Sequence, residues 1–91
     1  MRASFRARRH VARYVTTVRL FAAAAEAVGG NELIVEASSV AELRAALGSR
    51  GEGAPRVIAQ CAVLRAGVRL DDDAVLLEGD SVDVLPPFAG G

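Results

Sequence analysis

Two glycines and a free carboxylate close this chain, in the order Leu85-Pro86-Pro87-Phe88-Ala89-Gly90-Gly91, and they are the residues best suited to chemistry. Glycine has no Cβ, so Gly90 and Gly91 can lie extended in a channel too narrow for any other residue and let another protein's catalytic groups approach closely. Pro86 and Pro87 hold φ near the extended polyproline value, so the arm loses little entropy when threaded into a partner. At ~3.3–3.6 Å per residue the six residues after Leu85 span about 20 Å, enough to enter another protein's active site. The Gly91 carboxylate is therefore the expected reactive group, with the chemistry completed elsewhere.

Other chemistry-bearing residues are sparse. Cys61 is the single cysteine; it permits no internal disulfide and gives no metal-ligand spacing, which fits a reducing, cytoplasmic setting. A lone cysteine in an apolar strand reads as core, with a persulfide acceptor as the rival reading. Asp71-Asp72-Asp73 lacks the histidine or glycine-spaced acidic loop of a cation site and reads as a solvated loop, so no metal is expected. His10 has no partner in sequence. No histidine-centred triad or paired-carboxylate constellation is visible, so the chain is not expected to act as a stand-alone enzyme.

Ninety-one residues make one small domain, with 52% hydrophobic and 24% charged residues, and no apolar run approaches the ~18–20 residues of a membrane span. The formal charge of zero conceals an asymmetry. Residues 1–15 carry Arg2, Arg6, Arg8, Arg9 and Arg13 and no acid, which leaves six arginines against all eleven acids, about −5, in residues 16–91. Residues 1–15 read as a disordered arginine-rich leader or a misassigned start, with organelle targeting and nucleic-acid contact as alternatives; they lack the apolar stretch of a secretory signal. Every basic residue is arginine. With no lysine, the chain offers no side-chain amine to an isopeptide bond and could only be the donor.

The elements that must carry the tail follow from periodicity. Thr17 to Phe21 alternates as a half-buried strand, placing Val18 and Leu20 inward and Thr17, Arg19 and Phe21 outward. Ala22 to Val28 reads as a short helix closed at Gly29-Gly30, and Asn31 to Glu36 as a second strand. Ser39-Val40-Ala41-Glu42 has the form of a capping box, and Val40, Leu43, Ala46 and Leu47 form the apolar stripe of the helix it opens. Residues 48–55 are expected to form a loop ending at Pro55, and Arg56 to Gln60 a short turn. Cys61 to Arg65 and Val68 to Leu70 read as strands hinged at Ala66-Gly67. Ser81 to Leu85 is the last strand, with Val82 and Val84 inward and Leu85 outward. This order predicts an α+β fold of the β-grasp, ubiquitin-like kind: a mixed five-stranded sheet on one main helix, first and last strands parallel at its centre, and the tail protruding. Phe21 and Leu85 would then be neighbours where the tail leaves, an expected docking patch.

Val18 to Ala22, Glu26 to Gly29, Val40 to Leu43, Glu78-Gly79-Asp80-Ser81-Val82 and above all Pro86 to Gly91 resemble the MoaD/ThiS sulfur-carrier family, nearest to the molybdopterin synthase small subunit. The likeness spans residues 16–91. It implies that Gly91 is adenylated by an E1-like, ATP-dependent activating enzyme, becomes a thiocarboxylate, and gives its sulfur to cyclic pyranopterin monophosphate inside a MoaE-like large subunit, in a heterotetramer. It implies a non-catalytic carrier that binds no cofactor of its own. It also implies partner contacts at Phe21, Val68, Leu85, Pro86, Pro87, Phe88, Ala89 and Gly90; for Val68 the resemblance is the sole support. One departure is Leu64-Arg65-Ala66-Gly67, where the family often has an Asn or polar turn. Rival readings are a carrier for cysteine or thiamine thiazole synthesis, a conjugating modifier of the ubiquitin type, and a β-grasp binding module without terminal chemistry. The acidic balance of residues 16–91 opposes nucleic-acid binding, and no membrane partner is expected.

Overall fold

Alternation decides which side of each strand is dry. In the computed structural model, which describes residues 15–87, the first strand β1 (Val15–Leu20) buries Thr16, Val18 and Leu20 and turns its other residues outward. The leader before Val15 and the terminal Phe88 to Gly91 lie outside the described residues.

A short helix, α1 (Ala23–Val28), follows and closes on Gly29 in the left-handed conformation, φ 91°. Strand β2 (Glu32–Glu36) returns antiparallel to β1. The capping box operates at α2 (Val40–Gly48): Ser39 Oγ accepts from the Glu42 N–H at 3.2 Å, and Glu42 Oε1 accepts from the Ser38 N–H at 2.9 Å. Val40, Leu43 and Leu47 from this helix are fully buried.

The segment expected to be a loop and a turn contains a third helix, α3 (Ala54–Gln60). Pro55 starts it instead of ending a loop. A proline in the first helical turn lacks only an N–H that would have no partner there, and its fixed φ suits the helix. The main helix of the β-grasp is thus accompanied by a second that buries Ala54 and Ile58. Gly51 in the intervening loop is a required glycine, because a Cβ there would stand 2.6 Å from the Ala27 carbonyl oxygen.

Strands β3 (Ala62–Arg65) and β4 (Val68–Arg69) form a hairpin through Ala66-Gly67, and β5 (Ser81–Leu85) ends the described fold. The turn has φ 53° at Ala66 and 80° at Gly67, the pair of positive values a tight two-residue hairpin uses. The order across the sheet is β2-β1-β5-β3-β4, with β1 and β5 parallel and the other neighbours antiparallel. Five strands, mixed sense and parallel central strands agree with the expectation from sequence. Val18, Leu20, Val63, Val82 and Val84 meet the helices in one core.

Candidate docking face and tail exit

Register assigns every side chain of the sheet to a side. Thr17 lies beside Ser81 and Arg19 beside Asp83 across the parallel β1/β5 pair. One step further, Phe21 falls beside Leu85, and its N–H donates to the Val84 carbonyl at 3.2 Å. Across β5/β3, Leu85 is opposite Ala62 and Asp83 opposite Leu64. The face away from the helices therefore presents an apolar row, Phe21, Leu85 and Ala62, next to a charged row that begins with Glu32, Arg19 and Asp83.

The charged row is closed on itself. The Arg19 guanidinium donates through Nε to Asp83 Oδ1 at 2.9 Å and through a terminal nitrogen to Oδ2 at 3.3 Å, the forked geometry that suits arginine and carboxylate. Its hydrogen bond to Asp83, and then the charge of that carboxylate, push the Arg19 pKa up. The same guanidinium sits 5.8 Å from the centre of the Phe21 ring, close enough for cation–π attraction. Arg19 thus fixes both Asp83 and the ring beside the exit of the tail. Phe21 remains 38% exposed.

Beyond Leu85 the chain runs into an apolar groove of about 410 Å³ whose walls include Ala62, Leu64, Leu85, Pro86 and Pro87, with Arg69 at the rim. Pro86 and Pro87 are themselves part of the lining of this groove. Phe88, Ala89, Gly90 and Gly91 lie outside the described residues.

Val68 does not join this patch. It is 63% exposed, but it pairs with Arg65, two residues on from buried Val63, so register puts it on the helix side of the sheet at the outer edge. Sequence reasoning had no means of finding the parity of a two-residue strand. It set Arg19 outward with Phe21 and passed over Ala62, Leu64 and Arg69 as parts of the face. The outward parity of Arg19 was readable from β1; the others needed the β3/β5 register.

Cys61 is 2% exposed and its Sγ donates to the Val57 carbonyl at 3.2 Å. Burial pushes its thiol pKa up, with Arg44 opposing, so the nucleophilic thiolate is disfavoured. Asp72 pairs with Arg44 at 2.9 Å, and its carbonyl accepts from the Ala41 N–H at 3.0 Å, fastening the acidic loop to the start of α2. Among the described residues no group of three His, Cys, Asp or Glu could hold a metal ion, and no helix is long and apolar enough to cross a membrane.

A ubiquitin-like β-grasp with an apolar face at the root of its C-terminal arm defines the class of protein. A profile of the ThiS family matches residues 18–91, and the chain belongs to that family. Among solved structures it is similar to a chain of the complex of subunits 1 and 2 of the molybdopterin-converting factor of Helicobacter pylori, at 27% identity over 85% of this chain and 99% of that one, TM-score 0.61. It is also similar to the small archaeal modifier protein SAMP1 of Haloferax volcanii, at 26% identity over 85% and 99%, TM-score 0.69. A putative molybdopterin converting factor subunit 1 of Pyrococcus furiosus, at 23% identity over 82% and 99% with TM-score 0.73, shares the fold. The curated proteins contain no match.

Proposed function

We propose that this protein is the sulfur-carrier subunit of a molybdopterin synthase, with the Gly91 carboxylate as the group that is loaded and spent. The observation that carries the reading is the family match running through the terminal Gly-Gly, on a fold whose apolar face begins where the arm leaves. A carboxylate is a poor electrophile. Its oxygen attacks the α-phosphate of ATP on an E1-like enzyme, pyrophosphate leaves, and the acyl-adenylate now has AMP as a good leaving group. Hydrosulfide from a sulfide-level donor then attacks the acyl carbon and displaces AMP, leaving a thiocarboxylate that is itself a nucleophile. Inserted into a MoaE-like subunit, it would deliver sulfur to cyclic pyranopterin monophosphate. Phe21, Leu85, Pro86 and Pro87 supply the grip, Phe88, Ala89 and Gly90 the threaded arm, and the general acid and base belong to the partner. Val68 would touch a partner only if that partner also wraps the outer edge of the sheet.

Likeness to a chain of the complex of subunits 1 and 2 of the molybdopterin-converting factor favours this customer over cysteine or thiazole synthesis. Incubation with the activating enzyme, ATP and a sulfur donor should replace one oxygen of Gly91 by sulfur in the intact mass. An unchanged mass with an enzyme active on another carrier would refute loading, and co-purification with a cysteine or thiazole synthase would reassign the pathway.

A second reading, protein conjugation, is favoured by the likeness to the small archaeal modifier protein SAMP1. The same acyl-adenylate would then acylate a target lysine amine. Adducts carrying this chain's Gly91 in isopeptide linkage would support it.

A further inference from the structure

The fold has a second exposed apolar strip, far from the tail. Val75 is 59% and Leu77 57% exposed, while Leu76 between them is fully buried. Arg65 links this segment to the β3/β4 hairpin, donating to the Val75 carbonyl at 3.2 Å and to Asp80 Oδ2 at 2.7 Å, and exposed Val68 stands opposite Arg65 in register. Val68, Val75 and Leu77 therefore border one ion pair, with nothing among the described residues covering them.

The place where the leader joins the fold lies against this strip. The Val15 N–H donates to Glu78 Oε1 at 3.1 Å, the Gly79 N–H donates to the Val15 carbonyl at 3.1 Å, and the Thr17 N–H donates to the Asp80 carbonyl at 2.9 Å. Val15, the first described residue, is thus bonded to the two residues that follow Leu77. Because β1 and β5 are parallel, this is the end of the sheet opposite to Leu85 and the tail.

Charge matches as well. Residues 71–80 hold Asp71, Asp72, Asp73, Glu78 and Asp80 and no base, and residues 1–14 hold five arginines and no acid. Arg44 already occupies Asp72 and Arg65 occupies Asp80, which leaves Asp71 and Asp73, with Glu78 beside them at the Val15 N–H, to face the leader. Among and just after its arginines the leader offers Phe5, Val11 and Tyr14. Fourteen residues reach about 45 Å when extended, several times the few residues of strip to be covered.

We propose that residues 1–14 dock on their own domain along the Val68–Val75–Leu77 strip, covering it with Phe5, Val11 and Tyr14 while the arginines face Asp71, Asp73 and Glu78. The leader is then a built-in partner for an apolar surface at the end of the sheet away from the tail, and it leaves Phe21 and Leu85 free. The inference is independent of what the Gly91 carboxylate does.

Trypsin reads the docking directly, because the leader carries five cleavage sites and cleavage requires the undocked arm. In the full chain, Val75→Ser with Leu77→Ser should speed cutting within residues 1–14 by about fivefold or more, since two apolar contacts are lost and cleavage tracks the open population. Asp71→Asn with Asp73→Asn should act in the same direction, as should roughly 1 M salt, where the screening length is ~3 Å. All four positions are exposed, so melting curves should stay near wild type and cutting at body arginines should not change. Equal leader cutting in wild type and both variants would overturn the proposal. Protection that disappears on dilution would also overturn it, by showing that the arm docks on a second copy.

Discussion

Asp80 gives a sharp test of how the turn before the last strand is held. Its Oδ2 accepts from the Leu77 N–H at 2.8 Å and from the Arg65 guanidinium at 2.7 Å, and its side chain is 18% exposed. Asp80→Ala leaves the Leu77 N–H without its acceptor and the guanidinium without its carboxylate. A hydrogen bond to a charged group contributes ~1.5–3 kcal/mol. Arg65 is 33% exposed and can rehydrate, so its share falls toward the ~0–1 kcal/mol of surface pairs. The expected loss is about 2–3 kcal/mol, or a melting temperature lower by ~10–20 °C for a domain of this size. Asp80→Asn keeps an acceptor for Leu77 and should lose about half as much. The Leu77 N–H, together with the hydrogen bond and charge of Arg65, holds the Asp80 pKa below its ordinary value, with burial opposing. A depressed carboxylate stabilises the fold at pH above its unfolded value of ~3.9, and that contribution is lost as pH falls through the folded value. The gap between wild type and Asp80→Asn should therefore be widest near neutrality and narrow below about pH 4. Urea unfolding from pH 7 to pH 2 measures it. An alanine variant as stable as wild type at pH 7, or a gap that does not narrow in acid, would refute the reasoning.

Thr16 is fully buried and its hydroxyl has no hydrogen-bond partner among the described residues, so Thr16→Val should stabilise the fold by about 1 kcal/mol by removing a desolvated polar group; a lower urea midpoint would contradict this. Ala66 holds φ 53°, a region that costs an L-residue about 1 kcal/mol and that asparagine tolerates better. Ala66→Asn should therefore raise the melting temperature, visible by calorimetry. Phe21→Asp should weaken binding to the activating enzyme and to the large subunit at least about tenfold, ~1.4 kcal/mol, with the fold intact; unchanged affinity by calorimetric titration would move the docking face elsewhere. Gly90→Leu should leave stability untouched and abolish sulfur loading in the mass assay, since a side chain closes the narrow path the arm needs.

The sequence by itself determined what depends on neighbours along the chain. Inward Val18, Leu20, Val82 and Val84 and outward Phe21 and Leu85 follow from strand alternation, which is a local property of the backbone. The Ser39 cap and the Gly29 helix end are equally local. The proposed chemistry at Gly90-Gly91 likewise rests on residue type, which is read along the chain. Tertiary structure decided what depends on pairing. Pro55 carries the same signal at the end of a loop and at the start of a helix, and only packing of Ala54 and Ile58 into the core selects α3. Val68 illustrates the limit most plainly. Its side is set by a two-residue hairpin whose register comes from Leu64 opposite Arg69 and Arg65 opposite Val68, and a shift of one residue would have turned it to the other face. Register is fixed by contacts between strands, so no reading along the chain could have separated Val68 from Phe21 and Leu85, or brought Arg19 into line with Asp83 across β1 and β5.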